Sequence, residues 1–532
     1  MPSPASDASH AVFLQSLTRV NDHITSRATA LHVADPEELT TTSTAELVNR
    51  AFEGIPRDLP EEGLGLEAVT DLLLNTIAPA MAGGQAGPRW YGLVTGGVLP
   101  AAQLADQLVT SYDPNVQVHN LEDTLTSSLT PLTMRHLLSL LRLPPSLFTQ
   151  NTLTTGATSS NILGLSLGRD AVISRLKASQ GVTGWSVPED GFGGVEVDVL
   201  CAVPHASIRK AAAIAGIGRR NVLELADADS AMPCDFRMGE LEERLKANWG
   251  TGRGSIVVTS AGEVNTGGWT SNHTRIRELC DLYGAWLHID AAFGAFATLL
   301  PEFAHLAGDL ALGDSITSDA HKCLNVPYDC GLFFSRGPNG LYTLCGPGGN
   351  APAYLTASAG EGNAEFAALE EYRNAPSPLF MGIENSSRFR ALPLLSSLLS
   401  LGRQGYIDLF ARNISFATHI TTFLRSHASY DVLLPTTSEA PDYRQMNIVL
   451  FSPSSSAPSR FQGADGSKQL VKEINGGRKM FVTGTVWRGR GAIRLAVSNW
   501  RTEVPGGERE VDGYGGRDWE AVKGVLDGVM RE

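Results

Sequence analysis

The chain has 532 residues, 42% of them hydrophobic and 18% charged, an ordinary globular composition with enough apolar material for two or three lobes. Its net charge of −14 and lack of any dense Lys/Arg block argue against nucleic acid as the main partner. Six scattered cysteines (Cys201, Cys234, Cys280, Cys323, Cys330 and Cys345) form no Cys-x-x-Cys pair, which argues against a zinc site or a disulfide framework.

The opening MPSPASDASHAVFLQSLTRV has no basic start and only a short apolar run, so it does not read as a secretory signal. No stretch approaches the roughly 20 apolar residues of a membrane span. A cytoplasmic protein with reduced thiols is the expectation. Residues 1–88 read as an N-terminal helical arm, with apolar residues at helical spacing over Ala45 to Phe52 and Leu66 to Ile77. A Gly- and aromatic-rich loop follows, PRWYGLVTGGVLP, either a pocket wall or a connector. Leu132 to Leu143 is an amphipathic helix that stops before Pro144.

From about residue 150 to 336, strand-like and helical runs alternate. Apolar strands are expected at Val195–Val203, Val222–Leu225, Ser255–Ser260, Trp286–Ala291 and Leu332–Ser335, with helices at Ser159–Leu176 and Thr274–Tyr283 among them. This alternation predicts an α/β fold with a mostly parallel sheet, whose ligands sit beyond the carboxyl ends of the strands. We divide the chain into the arm, a large domain over 89–385 and a small C-terminal α+β domain over 386–532. In the small domain, helices are expected at Ser387–Leu401 and Tyr406–Ser426, and strands at Asn447–Phe451, Phe481–Thr485 and Ala492–Ser498.

Four motifs carry chemistry. Thr155-Gly156-Ala157-Thr158-Ser159-Ser160-Asn161 leads into a helix, and its small residues and free amides suit a phosphate, although Thr or Ser before a helix is also a plain cap. Asp290 ends an apolar strand, where a half-buried carboxylate needs a partner such as a protonated ring nitrogen; a helix-capping acid is the alternative. Ser318-Asp319-Ala320-His321-Lys322 sets a lysine among small and apolar residues, as imine formation requires, or simply at a surface. His205 stands between a strand and a helix, where an imidazole can stack on a flat ligand or serve structure alone.

Taken together, their order resembles the pyridoxal-phosphate-dependent group II amino acid decarboxylases, the family of aromatic amino acid, glutamate and tyrosine decarboxylases. The resemblance runs from about 88 to 500. It is carried by WYGLVTGGVLPAAQLADQL, TLTTGATSSNILGLSLGRD, HASIRKAA, WLHIDAAFGAFATLLPEFAHL, SDAHKCLNVPYDCGLFF and TVWRGRGAIRLAVSNWRT, with Asp290 and Lys322 32 residues apart.

The resemblance implies fold type I, with a seven-stranded type of sheet, and pyridoxal 5'-phosphate as cofactor. Lys322 would form the internal aldimine, Asp290 would pair with the pyridinium nitrogen, and Ala292 would lie against the ring. His205 would stack on the other face. Gly156, Ala157 and Thr158 would hold the phosphate. Asp319 stands where relatives often have a phosphate-binding Asn; because an ionised acid repels a phosphate, it would bind there through a water, a neighbouring cation or a proton. Cys323 stands where relatives commonly have Trp. His321 would assist proton transfer, and Tyr372, or else Tyr354, would return a proton to Cα.

The implied activity is that of a carboxy-lyase, converting an L-amino acid to amine and carbon dioxide through an external aldimine and a quinonoid. A homodimer is implied as well, with no metal, membrane or nucleic acid. The rival readings are another enzyme on the same scaffold (a carbon–carbon lyase or aldolase, an aldehyde synthase or an aminotransferase) and a cofactor-binding pseudoenzyme. Arg494 fits an aminotransferase and a decarboxylase equally. Trp90, Tyr91 and His119 suit an aromatic substrate or plain packing.

Overall fold

Short runs rich in Val, Ile and Leu, each closed off by a turn, build the centre of the molecule. In this computed structural model, which describes residues 7–33, 40–117, 124–337, 339–348, 376–503 and 516–531, they form a seven-stranded sheet. Its strands are β1 (Gln150–Thr154), β2 (Val197–Cys201), β3 (Val222–Glu224), β4 (Gly254–Ser260), β5 (Trp286–Asp290), β6 (Ser315–Asp319) and β7 (Gly331–Ser335), in the order β1-β7-β6-β5-β4-β2-β3. Only β7 runs against its neighbours. The central strands are buried on both faces, as strands covered by helices on each side must be.

Five of the seven coincide with the apolar runs in the sequence, to within a residue or two at their ends. β1 (QNTLT) and β6 (SITSD) do not, because they are polar. Their backbones are satisfied by the ladder and several of their hydroxyls by neighbours: Thr154 Oγ1 lies 2.7 Å from Ser160 Oγ, and Trp286 Nε1 donates to Ser315 Oγ at 2.9 Å, whereas Ser318 Oγ is buried with no partner among the described residues. Burial here rests on hydrogen bonding rather than hydrophobicity, which an apolar-run criterion cannot see.

Helix α1 (Ala157–Ser179) crosses β4 to β7. Gly164 and Gly168, one turn apart, let it sink onto β5. A Cβ on Gly164 would lie 2.3 Å from His288 Cε1, and one on Gly168 would lie 2.8 Å from Trp286 Cδ1.

The second sheet holds β8 (Tyr430–Val432), β9 (Ile448–Pro453), β10 (Thr483–Trp487) and β11 (Arg490–Ala496), antiparallel in the order β10-β11-β9-β8. The helical run over Ala391–Ser426 is broken at Gly402 (φ 60°, ψ −173°), so two helices meet in the gap expected between them.

The 88–100 loop is a connector rather than a pocket wall along its first half. Trp90 stacks on Phe481 with ring centroids 4.0 Å apart, and the Tyr91 amide donates to the Phe481 carbonyl at 2.8 Å. Both side chains are buried and pack against the small lobe.

Candidate active site

Hydrogen-bond register brings the acid and the lysine together. Asp290, the last residue of β5, pairs with Ser260 on one side and Thr317 on the other. Two residues past Thr317, β6 ends at Asp319 and turns into the short helix Ala320–Cys323. The Asp319 amide donates back to the Ala292 carbonyl at 3.0 Å, tying the two strand ends. The sequence separation of Asp290 and Lys322 therefore closes into neighbouring strand ends, the usual ligand position in such sheets.

Lys322 Nζ lies 2.9 Å from Asp319 Oδ2. Asp319 Oδ1 accepts the Ala157 amide at 2.7 Å, so the same carboxylate caps the start of α1. The first-turn amides of Thr158 and Ser159 have no carbonyl partner within the helix and remain as donors. His321 Nδ1 is held between the two backbone groups of Cys330, 3.0 Å from its carbonyl and 3.3 Å from its amide, which fixes the ring in place. The His321 ring packs on Tyr328 at 4.4 Å between centroids. Burial lowers the proton affinity of His321, and the nearby Asp319 works against that shift.

Asp290 is oriented by two donors, the Asn161 amide nitrogen at 3.1 Å to Oδ2 and the Ala292 backbone amide at 3.2 Å to Oδ1. His205 caps helix α2 (Ala206–Ile214): its Nδ1 accepts the Ser207 amide at 3.2 Å and lies 2.7 Å from Ser207 Oγ. Burial pushes the His205 imidazole down, with Asp290 pulling the other way. Gly156, Ala157, Thr158, His205, Asp290 and Lys322 line one cavity of about 500 Å³, within the range of small-molecule sites. Ala292, Asp319, His321 and Tyr328 line it too.

The sequence profile described as "Pyridoxal-dependent decarboxylase conserved domain" matches residues 50–442. The chain belongs to the pyridoxal-dependent decarboxylase family. Within that family it is 26% identical over 286 residues to an L-2,4-diaminobutyrate decarboxylase of Acinetobacter baumannii, a match spanning 53% of this chain and 52% of the relative. It is 24% identical over 487 residues to a tyrosine decarboxylase of Papaver somniferum, spanning 90% of this chain and 88% of the relative. In structure it resembles the Oryza sativa protein solved as "TDC with PLP and tryptamine", with a TM-score of 0.79, 19% identity and full coverage of both chains.

The donor set fits the family's cofactor. Free helix-start amides suit a phosphate, a fixed carboxylate a pyridinium nitrogen, an amine an aldehyde and an imidazole a flat ring. Cys323 is buried at 2% exposure and its thiol is pushed up to about 12 by burial, so it is a packing thiol against the Phe293 carbonyl. Tyr372, Tyr354 and His119 lie outside the described residues.

Sequence reasoning missed Asn161, Ser207 and Tyr328. Tyr328 was within reach, six residues past Lys322 in NVPYD; Asn161 and Ser207 matter only through contacts that a linear reading does not contain. It also missed Asn325, in left-handed conformation at φ 53°. Its side-chain amide donates to the carbonyls of Lys322, Cys323 and Ser498 at 3.2, 3.1 and 3.1 Å, and its Oδ1 accepts the Trp500 amide at 2.7 Å.

Proposed function

We propose that this chain decarboxylates an L-amino acid, releasing the amine and carbon dioxide. The observation that carries this reading is the single cavity joining Lys322, Asp290, His205 and the Thr158 helix start in a member of this family. Lys322 Nζ is the amine for the cofactor aldehyde, the Thr158 and Ser159 amides with the Thr158 hydroxyl hold its phosphate, and Gly156 and Ala157 shape that cradle. Asp290 Oδ1 and Oδ2, fixed by Ala292 and Asn161, hold a proton at the ring nitrogen. Ala292 and His205, which both line the cavity, would hold the ring between them. When bound, the cofactor supplies an electron sink for the pair released as the Cα–carboxylate bond breaks. His321 Nε2 and the Tyr328 hydroxyl lie on the lysine side of the cavity, where a proton must move on and off Nζ and Cα. Tyr372 is our candidate for the proton returned to Cα.

We further propose a cytoplasmic homodimer. No helix among the described residues is long and apolar enough to cross a membrane. Apolar side chains stand exposed on two N-terminal helices: Phe13, Leu14 and Leu17 on Asp7–Val33, and Leu104, Leu108 and Tyr112 on Pro100–Tyr112. The last three recur every fourth residue on one helix face, a stripe suited to a second copy. The division into an arm over 1–88, a large lobe over 89–385 and a small lobe over 386–532 belongs to the same proposal.

The test is carbon dioxide release from a panel of amino acids, with the product identified as amine or aldehyde. Lys322→Ala should abolish both release and the visible band of the cofactor-loaded protein. Release without Lys322, or none from any amino acid with cofactor bound, would overturn the reading. Aldehyde as product would move the chain to the synthase alternative.

A further inference from the structure

Behind the cavity, a file of buried polar side chains runs from the core to both sides of the site. Trp286 Nε1 lies 2.9 Å from Ser315 Oγ, and Ser315 Oγ lies 2.7 Å from His288 Nδ1. His288 Nε2 lies 2.9 Å from Asn161 Oδ1, while Asn161 Nδ2 meets Asp290 Oδ2 at 3.1 Å and Ser207 Oγ at 3.0 Å. Ser207 Oγ ends the file at His205 Nδ1, 2.7 Å away.

The direction of every hydrogen in this file follows from its ends. An indole N–H only donates, so Ser315 accepts from Trp286 and has its own hydrogen free for His288 Nδ1. The other end decides the ring: the Asp290 carboxylate and Ser207 face the Asn161 NH2, so Asn161 Oδ1 faces His288 and accepts from Nε2, which also has Thr317 Oγ1 at 3.4 Å. The proton of the neutral His288 ring therefore sits on Nε2, and Nδ1 accepts from Ser315. The reversed amide would set its oxygen against the Asp290 carboxylate oxygen. Ser207, already accepting, donates to His205 Nδ1, which also accepts the Ser207 backbone amide. The proton of neutral His205 therefore sits on Nε2.

His288 cannot drift from this role. Its ring is fully buried and seated in the space that Gly164 leaves by lacking a Cβ. Burial also pushes its pKa down to about 4, so it stays neutral across the physiological range.

We propose that His288 and Asn161 are positioning residues: together they set the tautomer of His205 and aim Asp290, so that the two groups facing the cofactor ring are ordered by one hydrogen-bond file anchored at Trp286. The proposal rests on the reading of Asp290 and His205 as the groups that face the cofactor.

The test combines imidazole nitrogen resonances of the isotopically labelled full chain without cofactor, cofactor titration, and the pH dependence of the bound cofactor's visible band. In the wild type, His205 and His288 should both show the Nε2–H tautomer; an Nδ1–H tautomer at His205 overturns the proposal before any variant is made. His288→Leu removes the donor to Asn161 and should mix the His205 tautomers, weaken cofactor binding on the order of ten-fold and shift the band's titration by about one unit. His288→Gln keeps a donor at the Nε2 position and should return both within about two-fold of wild type, judged by the same ten-fold-per-unit scale. A His288→Leu protein with wild-type circular dichroism, His205 tautomer and cofactor affinity would show that the file is packing alone. Asp290→Asn separates the two readings: if it leaves affinity and band titration unchanged, the cofactor-facing role of Asp290 fails; if it alters them while His288→Leu does not, only the positioning proposal fails.

Discussion

Asp319 accepts the first amide of α1, that of Ala157, at 2.7 Å, and so sets a carboxylate in the mouth of a helix-start anion site. Its other oxygen pairs with Lys322 at 2.9 Å. On the proposed reading, a bound phosphate would share this corner with the acid. Asp319→Asn keeps an acceptor for Ala157, removes one negative charge and offers a donor to the phosphate. We expect cofactor affinity to rise on the order of ten-fold, the value of one charge-assisted contact in a half-buried site. Fluorescence titration of the apo-protein checks this: unchanged binding would show that the charge does not oppose the phosphate, and weaker binding would show that Asp319 helps to hold the cofactor.

Two tyrosines are candidates for proton delivery. Tyr328 lines the cavity against His321, with its hydroxyl 3.4 Å from Thr95 Oγ1, whereas Tyr372 is proposed from sequence alone. We expect Tyr372→Phe to move the product from amine toward aldehyde. Chromatography of the products decides it; an unchanged ratio would pass the role to Tyr328, where Tyr328→Phe should then produce the shift.

Acid should loosen the fold before it touches the surface carboxylates. His273 and His288 are buried, and burial lowers each to about 4 from the ordinary 6.5. Between those values the unfolded chain binds protons that the folded chain refuses, so stability falls as pH falls, by about 1.4 kcal/mol per pH unit for each group. His273→Gln keeps a hydrogen-bonding partner for Thr259, whose Oγ1 lies 3.1 Å from His273 Nε2, and should flatten part of that slope. Thermal melts from pH 7 to about 4 measure it; an identical slope in the variant would remove His273 from the account.

Asn325 ties the lysine turn to the end of the small-lobe sheet through three carbonyls and one amide. Asn325 is fully buried, so Asn325→Ala would strip these groups of their side-chain partner, with only the Lys322 carbonyl still accepting the residue 325 amide, and would leave a left-handed backbone that Asn tolerates better than Ala. We expect a loss of about 3 kcal/mol in urea denaturation, the cost of one to three buried groups left unpaired. A loss below about 1 kcal/mol would mean that water replaces the side chain.

Much of this was legible from sequence because the site lies on the apolar strands and at their ends. Trp286–Asp290 announces itself by composition, and Asp290 follows from it. Lys322 and His205 were legible only as part of an ordered set. The strand that carries Asp319, Ser315–Asp319, was not legible: four of its five residues are polar, and their burial depends on Trp286 and His288 across the ladder. The same holds for Asn161, which a linear reading sees as one more polar residue at a helix start. Trp90 and Tyr91 were open between pocket and packing, and the neighbour that decides them, Phe481, lies far along the chain.

The pairing of Asp290 with Thr317 has a consequence for how this chain can be altered. The spacing of acid and lysine is set by the ladder between β5 and β6, not by the segment that joins them. Beyond Phe293 that segment contributes core but no ruler, and Glu302 and His305 stand at its exposed turn. Grafts there are free to vary in length while the two chemical groups keep their distance, so the crossover is the natural place for an inserted reporter or an added binding loop.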